Sequence, residues 1–96
     1  MNCLSFDVGG TTIKYGVINN SYDIIYKDKI PTPKNEGSFI ESLSDIIQKN
    51  INDISKVSFG MPGYVNAKNN KYLYGPHLPF AIDFSKFQGV HQILLD

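Results

Sequence analysis

Apolar and polar residues alternate strictly at the start of the chain. From Cys3 to Val8 ("CLSFDV") Leu4, Phe6 and Val8 face one way and Cys3, Ser5 and Asp7 the other. From Thr12 to Asn19 ("TIKYGVIN") Ile13, Tyr15 and Val17 alternate with Thr12, Lys14 and Gly16. A period of two is that of a half-buried strand, and the glycines between the two runs make them a hairpin. Asn19-Asn20-Ser21 is a second turn signal, after which "YDIIYKDKI" reads as a third strand stopped by Pro31 and Pro33. The expected product is an antiparallel meander of three strands.

At Ser38 the period changes. Ser38-x-x-Glu41 is a capping-box signature, and Phe39, Ile40, Leu43, Ile46, Ile47, Ile51 and Ile54 recur at helical spacing, so a helix of three to four turns is expected to cross the sheet. "KVSFG", Lys56 to Gly60, then reads as a short buried strand. The order β, β, β, α, β implies an α/β fold whose mixed sheet holds this strand parallel to a neighbour. Ligands of open α/β sheets gather outside the carboxyl ends of strands, so the loop "GMPGYVN" after this strand and the turn after Asp7 are expected near one cleft. Further on, "NAKNNKYLYG" suggests a hairpin through Asn69-Asn70, "PHLPF" a rigid loop, Asp83 to Gln88 a single helical turn at most, and "HQILLD" the start of another strand. No repeat, linker or low-complexity tract divides the chain, so residues 1–96 read as one domain or one piece of one.

Composition narrows the function classes. Apolar residues make up 42% of the 96, enough for a modest core, and exclude a chain kept unfolded by its charge. The nine basic residues, all Lys, are balanced by nine acidic ones, which argues against a surface that tracks nucleic-acid phosphates. Cys3 is the one cysteine, so there is no disulfide framework, and with His77 and His91 it has no metal-ligand spacing to join; a buried, inert thiol is expected. No stretch approaches the roughly 18 to 20 apolar residues of a membrane span, and the chain opens without a leader pattern, so the cytoplasm is the expected compartment.

The stretch Ser5 to Ile18 ("SFDVGGTTIKYGVI") poses the chemical question. A Gly-Gly turn lets backbone N–H groups face outward with no Cβ in the way, a concavity suited to phosphate oxygens, and the hydroxyls of Thr11 and Thr12 add donors. The Asp7 carboxylate would repel such a ligand unless a Mg²⁺ ion lay between them, directly or through its waters. Lys14 shares a strand face with Thr12 and could add positive charge. On these residues alone, a bare hairpin turn and a Mg·nucleotide cradle both fit. The stretch is neither a Walker A loop nor a Gly-x-Gly-x-x-Gly fingerprint.

"FDVGGTTIKYGVI" resembles the first phosphate-binding segment of the ROK family of sugar kinases and repressors, in the actin-type ATPase and hexokinase superfamily, whose pattern is Asp-x-Gly-Gly-Thr near the N-terminus. "VSFGMPGYVN" is similar to the family's Gly-x-Pro-Gly-x-Val-Asp/Asn segment, and "LYGPHLPF" to its Ala-Pro-Asn-Leu-Pro segment. Three motifs in order cover nearly the whole chain. The resemblance implies the N-terminal lobe of a ribonuclease H-like, actin-type fold, incomplete without a C-terminal lobe. It also implies an ATP-dependent kinase of the glucokinase or N-acetylhexosamine kinase type, with ATP and Mg²⁺ as cofactors and a small-molecule sugar as substrate.

Residue by residue, the resemblance places Asp7 near the metal, and Gly9, Gly10, Thr11 and Thr12, with Lys14 beyond them, against the ATP phosphates. Gly63 and Tyr64 match the loop that touches sugar hydroxyls. His77 stands where the family most often has Asn, which leaves the identity of the sugar open; a loop histidine without a ligand fits it equally. The family's base is an Asp in an Asn-Asp-x-Asn segment that this chain lacks. Asp96 is either an acidic neighbour of that base or, with the alignment moved by two positions, the base itself. The family's zinc segment, second phosphate segment and adenosine pocket are also absent, so zinc is not supported and the isolated chain is expected to be a poor catalyst. A non-catalytic sugar- or nucleotide-binding relative or a truncated gene product is the alternative. No helix-turn-helix precedes Asp7, which speaks against a repressor. Neither nucleic acid nor membrane is an expected partner, and the resemblance allows for a homodimer.

Overall fold

A computed structural model of the chain describes residues 2–75, 78–87 and 93–95. Its main sheet has five strands: β1 (Asn2–Val8), β2 (Thr12–Ile18), β3 (Ile24–Pro31), β4 (Ile54–Gly60) and a strand over Ile93–Leu95, in the order β3, β2, β1, β4, Ile93–Leu95. The first three form the expected antiparallel meander, and β4 lies parallel to β1 and to Ile93–Leu95. β3 begins two residues later than the hydrophobic run because the turn before it is longer. The Asn19 side chain accepts hydrogen bonds from the N–H of Ser21 (2.9 Å) and of Asp23 (3.0 Å), and Tyr22 takes a left-handed φ of 65° between them. Pro31 does not stop β3 short but is its last residue, tolerable because β3 is an edge strand.

Helix α1 (Glu36–Asn50) starts earlier than the Ser38-x-x-Glu41 pattern indicates. Its cap is Asn35, whose side chain accepts from the backbone N–H of Ser38 at 2.8 Å, so Ser38 supplies the donor rather than the cap. Phe39, Leu43, Ile46 and Ile47 bury one stripe of the helix, while Ile40 and Ile51 pack at its margins. Ile54 lies beyond the helix, as the first residue of β4. Against this stripe lie Leu4, Phe6 and Val8 of β1, Ile13 and Val17 of β2, and Val57 and Phe59 of β4, the alternation expected of strands buried on one face. Phe6 stacks on Phe59 with ring centroids 5.0 Å apart. Cys3, on the opposite face of β1, is only half-buried, which corrects the expected buried thiol.

Of a second, three-stranded sheet, the sequence showed only one hairpin. β5 (Tyr64–Asn66), β6 (Lys71–Tyr74) and β7 (Ile82–Asp83) pair antiparallel. The β5–β6 connection is a hairpin, but it runs through a 3-10 turn over Ala67–Asn69 before Asn70 at φ 55°, not through a two-residue Asn-Asn turn. After β7 the expected single turn is present as 3-10 helix Phe84–Lys86, capped by Asp83. Phe84 and Phe87 then reach back onto Phe59, at 4.7 and 5.4 Å between centroids, and fix the small sheet to the main core. Among the described residues no helix is long and apolar enough to cross a membrane.

Candidate phosphate and sugar site

The carboxyl ends of β1 and β4 lie side by side, with Asp7 registered against Gly60. Each strand leads into one of the two candidate loops. After Asp7 come Val8 and the Gly9 to Thr12 turn; after Gly60 come Met61, Pro62, Gly63 and Tyr64. The two strand ends that carry these loops are therefore adjacent in the sheet. Across the sheet the same row continues from Asp7 to Lys14 on β2 and Lys29 on β3. Asp7 and Lys14 are exposed, opposite charges directly across an antiparallel pair.

The turn is tightly built. The N–H of Gly9 donates to the Thr12 carbonyl at 3.0 Å, and a Cβ on Gly9 would stand 2.7 Å from that oxygen, so the backbone closes on itself where only glycine fits. Thr32, just past β3, donates twice to the turn: its Oγ1 to the Gly9 carbonyl at 2.7 Å and its N–H to the Thr11 carbonyl at 2.9 Å. Gly10 and Thr11 at the tip are exposed, Gly9 and Thr12 partly buried. Thr32 is a residue that the sequence reading missed; its threonine between two prolines carries no signal until the fold brings it to the turn.

On the other loop, Gly63 and Tyr64 are exposed, Tyr64 at 64%. Tyr64 opens β5, so its position depends on how the small sheet is anchored. That anchor is also new: Glu36, at the start of α1, accepts the N–H of Asp83 at 2.8 Å and the Lys86 ammonium at 2.6 Å. The hydrogen bond from Lys86, then that from the Asp83 amide, hold the Glu36 carboxyl below its usual range, and Lys86 is raised in turn. Hydrogen bonds from Ser85 lower Asp83. Among the described residues no three His, Cys, Asp or Glu side chains gather around one point. A cation beside Asp7 would thus take its other ligands from phosphate oxygens and water, which suits Mg²⁺. His77 and Asp96 lie outside the described residues.

A family model, "ROK family", matches residues 3–87. An uncharacterized protein of Clostridium perfringens is 41% identical over 78 residues, 76% of this chain and 26% of the relative. An N-acetyl-D-glucosamine kinase of Photobacterium profundum is 32% identical over 72 residues, 71% of this chain and 24% of the kinase. The chain thus spans about a quarter of the length of these curated relatives. Among solved structures, a ROK family glucokinase of Streptomyces griseus in complex with glucose and AMPPNP superposes with a TM-score of 0.83 at 22% identity, over 98% of this chain and 32% of that one. The likeness establishes the fold: a mixed sheet crossed by one helix, matching about a third of that structure. Matched by the family model over most of its length, with the family's glycine turn closed on Thr12, the chain belongs to the ROK family.

Proposed function

We propose that the chain is the N-terminal lobe of an ATP-dependent sugar kinase of the glucokinase or N-acetylhexosamine kinase type. The observation that carries this reading is the pairing of Asp7 with Gly60, which starts the phosphate turn and the sugar loop from adjacent residues of one sheet end. Phosphoryl transfer asks a protein chiefly to position two substrates and to stabilise charge on the moving group. The Gly9 to Thr12 turn offers backbone and hydroxyl donors to the ATP phosphates, and Lys14 adds a positive charge on the strand behind it. Asp7 would hold Mg²⁺ through water; the ion, when bound, neutralises charge on the transferring phosphoryl group. Gly63 gives sugar hydroxyls close access to backbone, with Tyr64 next to it in the same loop; His77 is added on the sequence resemblance alone.

The base that takes the sugar proton is either Asp96 or an Asp in a segment beyond it, and the adenosine pocket belongs to the other lobe. Without that base and that pocket, residues 1–96 by themselves would bind without appreciable turnover.

Calorimetric titration of the protein with Mg·AMPPNP, glucose and N-acetylglucosamine tests this reading. Binding of both nucleotide and a sugar is expected. Sugar binding with no response to Mg·AMPPNP would replace it with a non-catalytic sugar-binding relative.

A further inference from the structure

A glycine pair makes the phosphate turn permissive and also loose, because glycine loses more conformational freedom on ordering than any other residue. Left alone, such a turn could rotate its peptide units and present carbonyl oxygens, which repel phosphate, as readily as N–H groups. In this chain three carbonyls of the turn are held inward. Thr12 O accepts from Gly9 N–H, and Thr32 takes the other two, those of Gly9 and Thr11. A trans peptide points its C=O and N–H in opposite directions. With the Gly9 carbonyl turned onto Thr32 Oγ1, the N–H of Gly10 faces away from Thr32 and from the β3 edge.

Thr32 is itself pre-set. Pro31 has a fixed φ, and Pro33 confines Thr32 to extended backbone, so its hydroxyl and N–H are offered together at little entropic cost. We propose that Thr32 is a positioning residue for the nucleotide: by pinning the Gly9 carbonyl with its hydroxyl it aims the Gly10 amide at an oxygen of a nucleoside triphosphate, while its N–H holds the Thr11 carbonyl. This rests on the nucleotide reading above, and it assigns to a residue outside the phosphate motif the task of orienting that motif.

The test compares the protein with Thr32→Val, which loses the hydroxyl and keeps shape and N–H, and Thr32→Ser, which keeps the hydroxyl. Affinity for Mg·AMPPNP and for glucose is measured by calorimetry, alongside the melting temperature. A net hydrogen bond predicts that T32V binds Mg·AMPPNP about 3- to 10-fold more weakly, with T32S like the unsubstituted protein. Glucose affinity should stay unchanged across the series, and the melting temperature of T32V should fall only by the modest amount one lost hydrogen bond costs. Equal Mg·AMPPNP affinity in all three overturns the positioning role and leaves the nucleotide reading intact; no binding by the unsubstituted protein removes both. If T32V does not fold, Thr32→Ala takes its place, and failure of both to fold assigns Thr32 to structure alone.

Discussion

The hydroxyl of Tyr72 occupies the space that a Cβ on residue 75 would need. Tyr72 is fully buried on β6, its Oη has no hydrogen-bond partner among the described residues, and burial pushes its pKa up. An added methyl on Gly75 would overlap that oxygen and also stand 2.9 Å from Gly63 Cα and 3.2 Å from Pro62 O. A large residue at 72, a missing side chain at 75 and the position of the Pro62–Gly63 loop are one packing solution.

Gly75→Ala should therefore cost about 1–3 kcal/mol by overpacking, read as a drop in melting temperature, and should weaken sugar binding by displacing Gly63. Tyr72→Phe, which removes an unpartnered buried hydroxyl, should be neutral or mildly stabilising. Combined, the two should recover part of the G75A loss, and only part, because the Gly63 and Pro62 contacts persist. Strict additivity of the two would show that the hydroxyl is not the obstacle.

Gly9→Ala meets backbone rather than a movable side chain, the Thr12 carbonyl at 2.7 Å. The turn must open, so Mg·AMPPNP affinity should fall at least about 10-fold on the loss of more than one aligned donor, with sugar affinity retained. Calorimetry with both ligands reads the split; equal losses for both would mean that the lobe, not the turn, was damaged.

The Glu36 carboxylate connects α1 to the small sheet, and the pH dependence has a defined sign. Glu36 and Asp83 titrate below their ordinary values of 4.5 and 3.8 in the folded protein, so the unfolded chain binds more protons in that range. Their stabilisation is complete above those ordinary values and fades as pH falls through the lowered ones. Both groups are solvent-facing, so the effect is small. Glu36→Gln should melt below the unsubstituted protein at neutral pH, and the gap should narrow as pH falls below the ordinary carboxyl values and the lowered groups protonate. A gap that does not change as the pH is lowered would assign it to packing instead of charge.

The helix cap separates two readings of one segment. Asn35→Ala should destabilise by about 1 kcal/mol, with Asn35→Asp close to neutral. Ser38→Ala should leave stability nearly unchanged, because it is the Ser38 backbone N–H that is used. Denaturant midpoints of the three variants decide between the Asn35 cap and a Ser38 capping box.

What could be read from the sequence was what repeats. Alternation in β1 and β2 and the helical stripe from Phe39 to Ile47 name the buried faces, because burial on one side imposes a period. The Asp7 to Thr12 turn stood out because the residues on either side of it were regular. Of the small sheet only the β5–β6 hairpin was legible; β7 and the anchoring escaped because the strands are two to four residues long, too short to show a period, and are fixed by aromatic contacts from Phe84 and Phe87 that lie far along the chain. Thr32 and Glu36 escaped for a related reason: each acts on a partner more than twenty residues away. The capping box misled because Asn35 offers the same chemistry three residues earlier.

The pairing of β1 with β4 has a kinetic consequence. It joins residues such as Ser5 and Ser58, 53 positions apart, whereas the β1–β2 hairpin closes locally. Local hairpins form in microseconds, and long-range parallel pairing must first overcome the entropy of closing the chain between. The glycine turn thus takes shape early, but it gains its neighbour, the Gly60 to Tyr64 loop, only when this slowest strand pair zips up. Closing order puts the turn in place before the loop that follows Gly60 is brought beside it.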